Sequence, residues 1–255
     1  MKKYWIGTGW KMNHLLEDSQ RYAQQLKAYY TQEKPAGNLF ICPPFTALKT
    51  VADILTDTPI LVGAQNIHWL DKGAMTGEIS PLMVKDTGAK LVEIGHSERR
   101  KYFNETDFSV NQKVLASLAK GLRPVICIGE SSQDMDFKVT REKLSQQLKI
   151  GLHGVSLQDL RQVIIAYEPV WAIGTSGKPA KPGYVNEVHS SIRETLANIS
   201  DIATAADIPV IYGGSVNNDN AIELISQPQV DGLFIGRAAW DVTNFTKIIS
   251  MVEKI

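Results

Sequence analysis

The sequence predicts an α/β protein, a single (β/α)8 barrel that spans residues 1–255. Eight apolar runs of strand length recur along the chain, with amphipathic stretches of helix length between them. The runs are almost continuously apolar rather than alternating, which is typical of parallel strands buried on both faces. No Ser/Gly-rich linker or break in composition divides the chain, so the repeated succession of strand and helix indicates one closed barrel.

The predicted strands are bounded mostly by turn residues and cover residues 4–8, 39–42, 60–63, 91–95, 124–128, 163–166, 209–212 and 232–235. Helical spacing of apolar residues predicts helices over 16–30, 110–119, 185–199 and 245–255. Gly121 is a typical helix stop, and Pro44 and Pro182 are typical of helix starts. The alternative is an open, doubly wound sheet. The barrel is favoured because no Gly-x-Gly-x-x-Gly follows the first strand, and because polar residues follow most strands, whose ends meet at one mouth in a barrel.

The composition is that of an ordinary globular protein, with 44% hydrophobic residues, 21% charged residues and a formal net charge of +0. This balance gives no electrostatic case for binding nucleic acid or an anionic membrane. The first strand runs directly into Lys11 and Asn13, and no apolar run approaches membrane-spanning length, so we expect neither a signal peptide nor a membrane segment. Cys42 and Cys127 lie inside apolar runs and are expected to be buried free thiols of a cytoplasmic protein. The five His lack metal-ligand spacing, so no metal site is expected.

Glu168 stands at the end of the sixth predicted strand. An apolar segment with neither strand nor helix periodicity follows it, Pro169-Val170-Trp171-Ala172-Ile173-Gly174-Thr175. A carboxylate fixed on a rigid strand beneath an apolar lid that excludes water is what proton abstraction requires. The alternative is a strand-end Glu in a salt bridge beside a hydrophobic loop.

Two further charged or titratable side chains follow strand ends. Lys11 comes after the first strand between apolar Trp10 and Met12, where it could bind an anion or be a solvated surface charge. His96 comes after the fourth strand at the start of a short predicted helix, whose dipole disfavours the cationic imidazole. Glu98 could then pair with Lys11 across the barrel mouth. The alternative is a structural histidine beside a surface charge network.

The last two strands end in glycine-containing turns, Gly213-Gly214-Ser215 and Gly236-Arg237. Glycine lets the backbone approach a ligand closely, and peptide N–H groups can surround a phosphate at a helix start. The loops after strands seven and eight are where many barrels bind phosphate. Either turn alone is a weak signal, but together they predict a phosphate site.

Taken with these segments, the chain resembles the triosephosphate isomerase family. The matching stretches occur in order from one end of the chain to the other, at 10–13, 63–66, 76–80, 93–100, 127–130, 166–175 and 212–216. The resemblance implies a TIM barrel and a cytoplasmic aldose–ketose isomerase of glycolysis and gluconeogenesis. Such an enzyme interconverts dihydroxyacetone phosphate and D-glyceraldehyde 3-phosphate through an enediolate and needs no cofactor.

The resemblance also implies a role for each matched residue. Glu168 would be the base, His96 the neutral electrophile that polarises the carbonyl, and Lys11 the group that holds the substrate anion. Glu98 would support Lys11, and the remaining contacts to the phosphate would come from Gly174, Ser215 and Gly236.

The resemblance further implies a homodimer. In the family the third loop, here residues 71–78, reaches into the partner subunit. Thr76, Gly77 and Glu78 belong to this loop, and Thr76 would complete the neighbouring site.

Three departures from the family pattern are visible. Gly9 stands where the family usually has Asn, Arg237 stands where it usually has a second Gly, and the lid hinge at residues 175–178 is one residue longer. Gly9 is expected to open space beside the carbon that carries the terminal hydroxyl. Arg237 could hold phosphate through two hydrogen bonds, brace a loop or face solvent.

The substrate therefore has alternatives. Triose phosphate interconversion is the family default. The space expected at Gly9 favours a four-carbon substrate, with L-erythrulose 1-phosphate converted to D-erythrulose 4-phosphate. The stretches 68–69, 73–76 and 235–240 are similar to the branch of the family that carries out that reaction. A non-catalytic sugar-phosphate-binding barrel is a third possibility, and another phosphate-binding barrel enzyme is a fourth.

Overall fold

The structure, a computed structural model, describes residues 3–174 and 177–255, and at its centre is a closed barrel of eight strands. The strands are β1 Trp5–Gly9, β2 Asn38–Cys42, β3 Leu61–Ala64, β4 Leu91–Ile94, β5 Arg123–Ile128, β6 Ile164–Tyr167, β7 Val210–Tyr212 and β8 Gly232–Ile235. Each strand pairs in parallel with the next along the chain, and β8 closes the ring on β1. The predicted (β/α)8 barrel is confirmed, and every predicted strand agrees with the structure to within one residue.

Twelve α-helices are found among the described residues. They are α1 Leu16–Glu33, α2 Phe45–Leu55, α3 Pro81–Asp86, α4 Ser97–Tyr102, α5 Asp107–Ala119, α6 Ser132–Asp136, α7 Thr140–Gly151, α8 Leu157–Leu160, α9 Pro182–Ile199, α10 Ile202–Asp207, α11 Ala221–Ile225 and α12 Val242–Val252. Short 3-10 turns follow β6 at Val170–Ala172 and β8 at Arg237–Ala239. None of the helices in the described part of the chain is long and apolar enough to cross a membrane.

The four predicted helices are present, but three of them begin three residues earlier than their apolar spacing indicates. The residues of these early turns are exposed or half-buried, so caps and Pro182 rather than burial fix where the helices begin. Thr106 accepts a hydrogen bond from the Ser109 amide at α5, and Asp241 caps α12 in the same way. Pro182 occupies the first turn of α9, where its missing N–H is tolerated.

The barrel interior is filled by large side chains that lie opposite glycines. A Cβ atom on Gly7 would lie 2.1 Å from the Phe40 ring, and one on Gly63 would lie 2.0 Å from Leu91 Cδ1. The interior cluster contains Phe40, Cys42, Leu91, Val125, Cys127, Ile164, Ala166, Ile211 and Phe234, and both cysteines are buried free thiols as expected. Because this packing fills the barrel interior below the carboxyl ends of the strands, the rim at those ends is where a ligand is expected to bind. That residues 1–255 make up one domain stays a prediction.

Candidate active site

A cavity of about 450 Å³ lies at the carboxyl ends of the strands. This volume falls in the range of small-molecule sites. The predicted site residues that line it come from five strand ends and from the lid: Gly9, Lys11, His96, Glu98, Glu168, Gly174, Ser215, Gly236 and Arg237. Residues that are distant in sequence thus meet around one cavity because all eight strands point the same way.

Glu168 directly follows β6 and is almost completely buried. Its amide donates to the Ile128 carbonyl at 2.7 Å, which ties the residue to the end of β5. Its Oε2 atom has no hydrogen-bond partner among the described residues. Burial, and next the charge of Glu93, raise the pKa of Glu168 well above its ordinary value of 4.5. A buried carboxyl with a raised pKa and a free oxygen aimed into a cavity is suited to accept a proton from carbon.

His96 is the N-cap of α4, and its ring faces Glu168. The Nδ1 atom accepts a hydrogen bond from the Glu98 amide at 3.1 Å, so in the neutral ring the proton is on Nε2. Nε2 lies 3.5 Å from Glu168 Oε2. Burial, and next the charge of Lys11, lower the pKa of His96 to about 4. The imidazole is therefore neutral near pH 7 and presents an N–H donor beside the carboxyl.

Lys11 reaches across the cavity mouth to Glu98, with Nζ 2.7 Å from Oε1. Burial alone would raise the pKa of Glu98, but the hydrogen bond and charge of Lys11 outweigh it and lower that pKa. Lys11 has a φ of 54°, in the left-handed region that non-glycine residues seldom adopt. The Gln65 amide donates to the Lys11 carbonyl at 3.0 Å and to the Cys42 carbonyl at 2.9 Å, which holds this strained backbone in place.

The glycine-containing turns predicted to bind phosphate line the opposite part of the cavity. Gly214 is required there, because a Cβ atom would lie 2.1 Å from the Tyr212 hydroxyl. The Asn220 amide donates to the Ser215 carbonyl at 2.9 Å and fixes the β7 turn. Arg237 is exposed at the rim, and within residues 3–174 and 177–255 its guanidinium forms no hydrogen bond or ion pair. Of the roles considered for Arg237, bracing a loop is not seen.

The lid begins in the 3-10 turn Val170–Ala172, and a buried carboxylate anchors it. Glu130 Oε1 accepts from Trp171 Nε1 at 2.8 Å, from the Tyr167 hydroxyl at 3.0 Å and from the Tyr184 hydroxyl at 3.1 Å. Burial raises the pKa of Glu130, and the three donors oppose the rise. Glu130 was not among the predicted site residues. Thr175, the last predicted lid residue, and Ser176, which carries the longer hinge, lie outside the described residues.

Glu93 is a second residue that the sequence analysis missed. It lies in β4, faces the barrel interior and lines the cavity, and only 5% of its surface is exposed. Burial raises the pKa of Glu93 to about 8, although Lys11 opposes the rise. Its sequence signal is a charged residue inside an otherwise apolar strand, Leu91–Ile94. In a strand buried on both faces, such a residue points either to a partner or to a ligand.

The expectation that Gly9 opens space is wrong in its simple form. A Cβ atom on Gly9 would lie 3.2 Å from Glu93 Oε2 and 3.2 Å from the Phe234 ring. Both side chains project inward from β4 and β8, and they take up the room that the missing side chain leaves. The inner end of the cavity is thus bounded by Gly9, Glu93 and Phe234.

Among the described residues, Glu93, His96 and Glu168 are the one group of possible metal ligands, each offering an atom within 4.8 Å of the others. Zinc ligands lie about 2.0–2.2 Å from the ion, so in tetrahedral geometry the ligand atoms stand about 3.4 Å apart. The two carboxyls and the neutral imidazole could equally well surround the reacting carbon and oxygen of a substrate instead of a metal ion. The absence of a metal from the reaction stays a prediction.

The loop predicted to reach into a partner subunit, residues 71–78, is exposed along its whole length. Thr76, Gly77 and Glu78 lie in it, and Gly77 has a φ of 91° at the turn. Beside the loop, Trp69 stacks on His68 with ring centroids 4.2 Å apart. The contact of this loop with a second chain stays a prediction.

The site and the whole chain can be compared with known proteins. A family model described as triosephosphate isomerase matches residues 4–252. The L-erythrulose-1-phosphate isomerase of Rhizobium rhizogenes is 47% identical over 249 residues, which cover 97% of this chain and 94% of that protein. The protein of the same name from Mycolicibacterium smegmatis is 45% identical, covering 97% and 92%. The crystal structure of triosephosphate isomerase from Bartonella henselae is similar with a TM-score of 0.87 at 35% identity, covering 98% of this chain and 99% of that one.

Proposed function

The chain belongs to the triosephosphate isomerase family, and within it we propose that the protein is an isomerase of four-carbon ketose phosphates. Its substrate would be L-erythrulose 1-phosphate and its product D-erythrulose 4-phosphate. The observation that carries the proposal is the name shared by relatives that are 45% to 47% identical over nearly the whole chain. The carboxyl-lined inner end of the cavity, with Gly9 and Glu93, supports it further.

The reaction is a proton transfer between adjacent carbons and needs no oxidant or reductant. Glu168 removes the proton from C3 of L-erythrulose 1-phosphate, which is acidic because the carbonyl lies at C2. The electron pair of that bond forms the enediolate, whose C2 oxygen takes the negative charge. The hydroxyl proton moves from the C3 oxygen to the C2 oxygen, and returning the carbon-bound proton from Glu168 to C2 then places the carbonyl at C3, which is C2 of D-erythrulose 4-phosphate. Both sides of the reaction are ketoses, so no aldehyde forms.

The neighbouring groups stabilise the enediolate in this proposal. His96 donates its Nε2–H to the oxygens of the two reacting carbons, and its low pKa makes it a neutral donor rather than an acid that would protonate Glu168. Lys11, held by Glu98, places a positive charge near the anionic substrate. This division between a carboxylate base and a neutral imidazole is already established for triosephosphate isomerase.

The phosphate would bind at the opposite side of the cavity from β4. Gly174, Ser215 and Gly236 line that side, where backbone N–H groups can surround an anion. Arg237 stands at the same rim with its guanidinium unpaired in the described parts of the chain, and could donate two hydrogen bonds to a phosphate.

The test is conversion in deuterated water. Incubation with L-erythrulose 1-phosphate is expected to yield D-erythrulose 4-phosphate that carries deuterium at the carbon that receives the proton. NMR identifies both the product and the label. Glu168→Gln serves as the control and should leave the substrate unlabelled. If the wild type neither forms the product nor labels the substrate, the four-carbon proposal is wrong.

Triose phosphate interconversion, which the sequence analysis placed first, is the second candidate. The similarity to the Bartonella henselae enzyme favours it, but the relatives with higher identity carry the other name. The expected places in glycolysis and gluconeogenesis belong to this candidate. A non-catalytic sugar-phosphate-binding barrel is set aside because family and relatives are isomerases. A cytoplasmic location stays a prediction.

A further inference from the structure

The Glu93 carboxyl is a buried acid with no hydrogen-bond or ion-pair partner among the described residues. β4 places it toward the barrel interior, in the same direction as Leu91 one layer below. It is 95% buried, since 5% of its surface is exposed, and it lines the cavity. No hydrogen bond or ion pair to this carboxyl is formed within the described ranges 3–174 and 177–255.

A carboxyl in such a place lowers stability unless something binds it. Burying a polar group without a hydrogen bond costs folding free energy, and burying a charged group costs more. The other residues of β4, Leu91, Val92 and Ile94, are apolar and buried, so an apolar residue would pack there without this penalty. The cavity is the direction from which a partner can reach the Glu93 oxygens.

The position of Glu93 relative to the predicted phosphate site and to the Glu168–His96 pair identifies which part of the substrate it faces. The groups that would bind phosphate follow β7 and β8, and β4 lies across the closed barrel from β8. The reacting carbons would lie between Glu168 and His96, and a Glu93 carboxyl oxygen lies within 4.8 Å of an atom of each of these two side chains. It also borders Gly9, where a side chain would meet Glu93 Oε2. The carbon that lies farthest from the phosphate is therefore the one that points at Glu93.

We propose that Glu93 binds the terminal hydroxyl of the four-carbon substrate and thereby selects it over a triose phosphate. This inference rests on the proposed function, because a triose phosphate has no fourth carbon. A hydroxyl on that carbon would hydrogen-bond with the Glu93 carboxyl. Gly9 leaves no side chain to compete for that oxygen.

The protonation state of Glu93 suits this role. Because burial raises its pKa to about 8, the carboxyl is mostly protonated near pH 7. A protonated carboxyl can both donate to and accept from a hydroxyl. It also does not repel Glu168, which must be ionised to act as the base.

The experiment compares L-erythrulose 1-phosphate with its 4-deoxy analogue, which lacks only the terminal hydroxyl. In the wild type we expect kcat/KM to be about 10- to 100-fold higher for the hydroxylated substrate, the effect of one or two hydrogen bonds to a buried group. Glu93→Leu, which fills the same space without polar atoms, should reduce this preference to less than about threefold. Glu93→Gln, which keeps a donor and an acceptor, should retain most of it.

A buried carboxylate outside the cavity provides the matched control. Glu105 is as buried as Glu93 but pairs with Arg99 and Lys113. Glu105→Gln is expected to keep the wild-type preference for the hydroxyl. Circular dichroism and thermal unfolding establish that each variant is folded.

The outcomes separate the two proposals. If the wild type does not isomerise L-erythrulose 1-phosphate, the proposed function is wrong, and the proposed role of Glu93 is wrong as well. If the wild type does so, and Glu93→Leu keeps the full hydroxyl preference, then only the role of Glu93 is wrong. Both proposals are supported if folded Glu93→Leu has lost the preference for the hydroxylated substrate and Glu105→Gln has kept it.

Discussion

At the scale of single residues, three ionisable groups share one small volume and cannot all be charged. Burial raises the pKa of Glu93, burial and the charge of Glu93 raise the pKa of Glu168, and burial and Lys11 lower the pKa of His96. Catalysis as proposed requires Glu168 ionised, His96 neutral and Glu93 able to share a proton. The rate should therefore fall on the acid side as Glu168 gains its proton, at a pH above its ordinary pKa of 4.5.

The dependence of this acid limb on Glu93 is testable. Glu93, with a pKa of about 8, is mostly protonated in the pH range of this limb, so the neutral Glu93→Gln should leave the acid limb of kcat/KM nearly unchanged. The pH profiles of kcat/KM are measured for the wild type and the variant with the same substrate. Any ionisation of the substrate itself therefore affects both profiles equally. An acid limb that moves to lower pH in the variant would show instead that Glu93 is ionised there and raises the pKa of Glu168. His96, with a pKa of about 4, should contribute no limb above pH 5.

The identity of the base is tested by Glu168→Gln. The variant keeps the size of the side chain but cannot take a proton, so kcat should fall by about 10³-fold or more. Substrate affinity, measured by isothermal titration calorimetry, should change far less because the other cavity residues remain. A variant with more than a tenth of wild-type kcat would exclude Glu168 as the base.

Glu93 also predicts a pH-dependent stability. Its pKa is raised in the folded protein, so the stability it contributes is present below pH 4.5 and is lost as the pH rises toward about 8. Glu93→Leu should therefore raise Tm, with a gain that is small at pH 5 and reaches roughly 5 °C or more at pH 8. Thermal unfolding at the two pH values measures this. A Tm gain that is equal at the two pH values, or no gain at all, would mean that burial does not raise the pKa of the Glu93 carboxyl.

At the scale of elements, a buried oxygen of Glu130 joins the lid to two other elements, and the Val170 amide also donates to the Glu130 carbonyl at 2.9 Å. Glu130 Oε1 accepts from Trp171, Tyr167 and Tyr184, and thus joins the lid to β6 and α9. Trp171→Phe removes one donor and keeps an aromatic ring. We expect kcat and KM to change together by about 3- to 30-fold, because lid closure rather than proton transfer is affected. Tyr184→Phe, which leaves the lid donor in place, is the control and should have the smaller effect.

The strands and the site residues differed in how far the sequence could predict them. Continuous apolar runs located every strand to within one residue, since a parallel strand must be buried on both faces. The starts of α5, α9 and α12 were placed too late, because their first turns are set by caps and by Pro182 rather than by apolar spacing. Side-chain packing across the barrel was not accessible at all. Phe234 and Glu93 fill the gap at Gly9 from β8 and β4, and no local pattern places those strands opposite one another.

At the scale of the whole molecule, the closed barrel is what turns scattered residues into one site. Lys11, His96 and Glu168 follow β1, β4 and β6, and they meet because parallel strands in a closed ring share one carboxyl rim. Their positions were predictable from sequence for this reason. The role of Glu93 was not predictable, because its burial and its lack of a partner among the residues that the structure describes are properties of the assembled interior.

The exposed loop at residues 71–78 makes the assembly state testable. We expect a dimer of twice the 28.2 kDa chain mass, with this loop in the interface. Met75 in the loop is 49% exposed, and Met75→Arg would place a charge in that interface. Sedimentation should then show a monomer with reduced activity, whereas Lys72→Arg, which keeps the charge, should remain dimeric. A wild type that sediments as a monomer at full activity would contradict this expectation.

The central claim is that this barrel acts on a four-carbon substrate. The most direct test is the ratio of kcat/KM for L-erythrulose 1-phosphate to that for D-glyceraldehyde 3-phosphate, measured on one preparation of the wild type. We predict a ratio above about 10, the discrimination expected from one or two hydrogen bonds to the terminal hydroxyl. A triose constant near the diffusional ceiling of about 10⁸ M⁻¹s⁻¹ with a ratio well below one would contradict the claim.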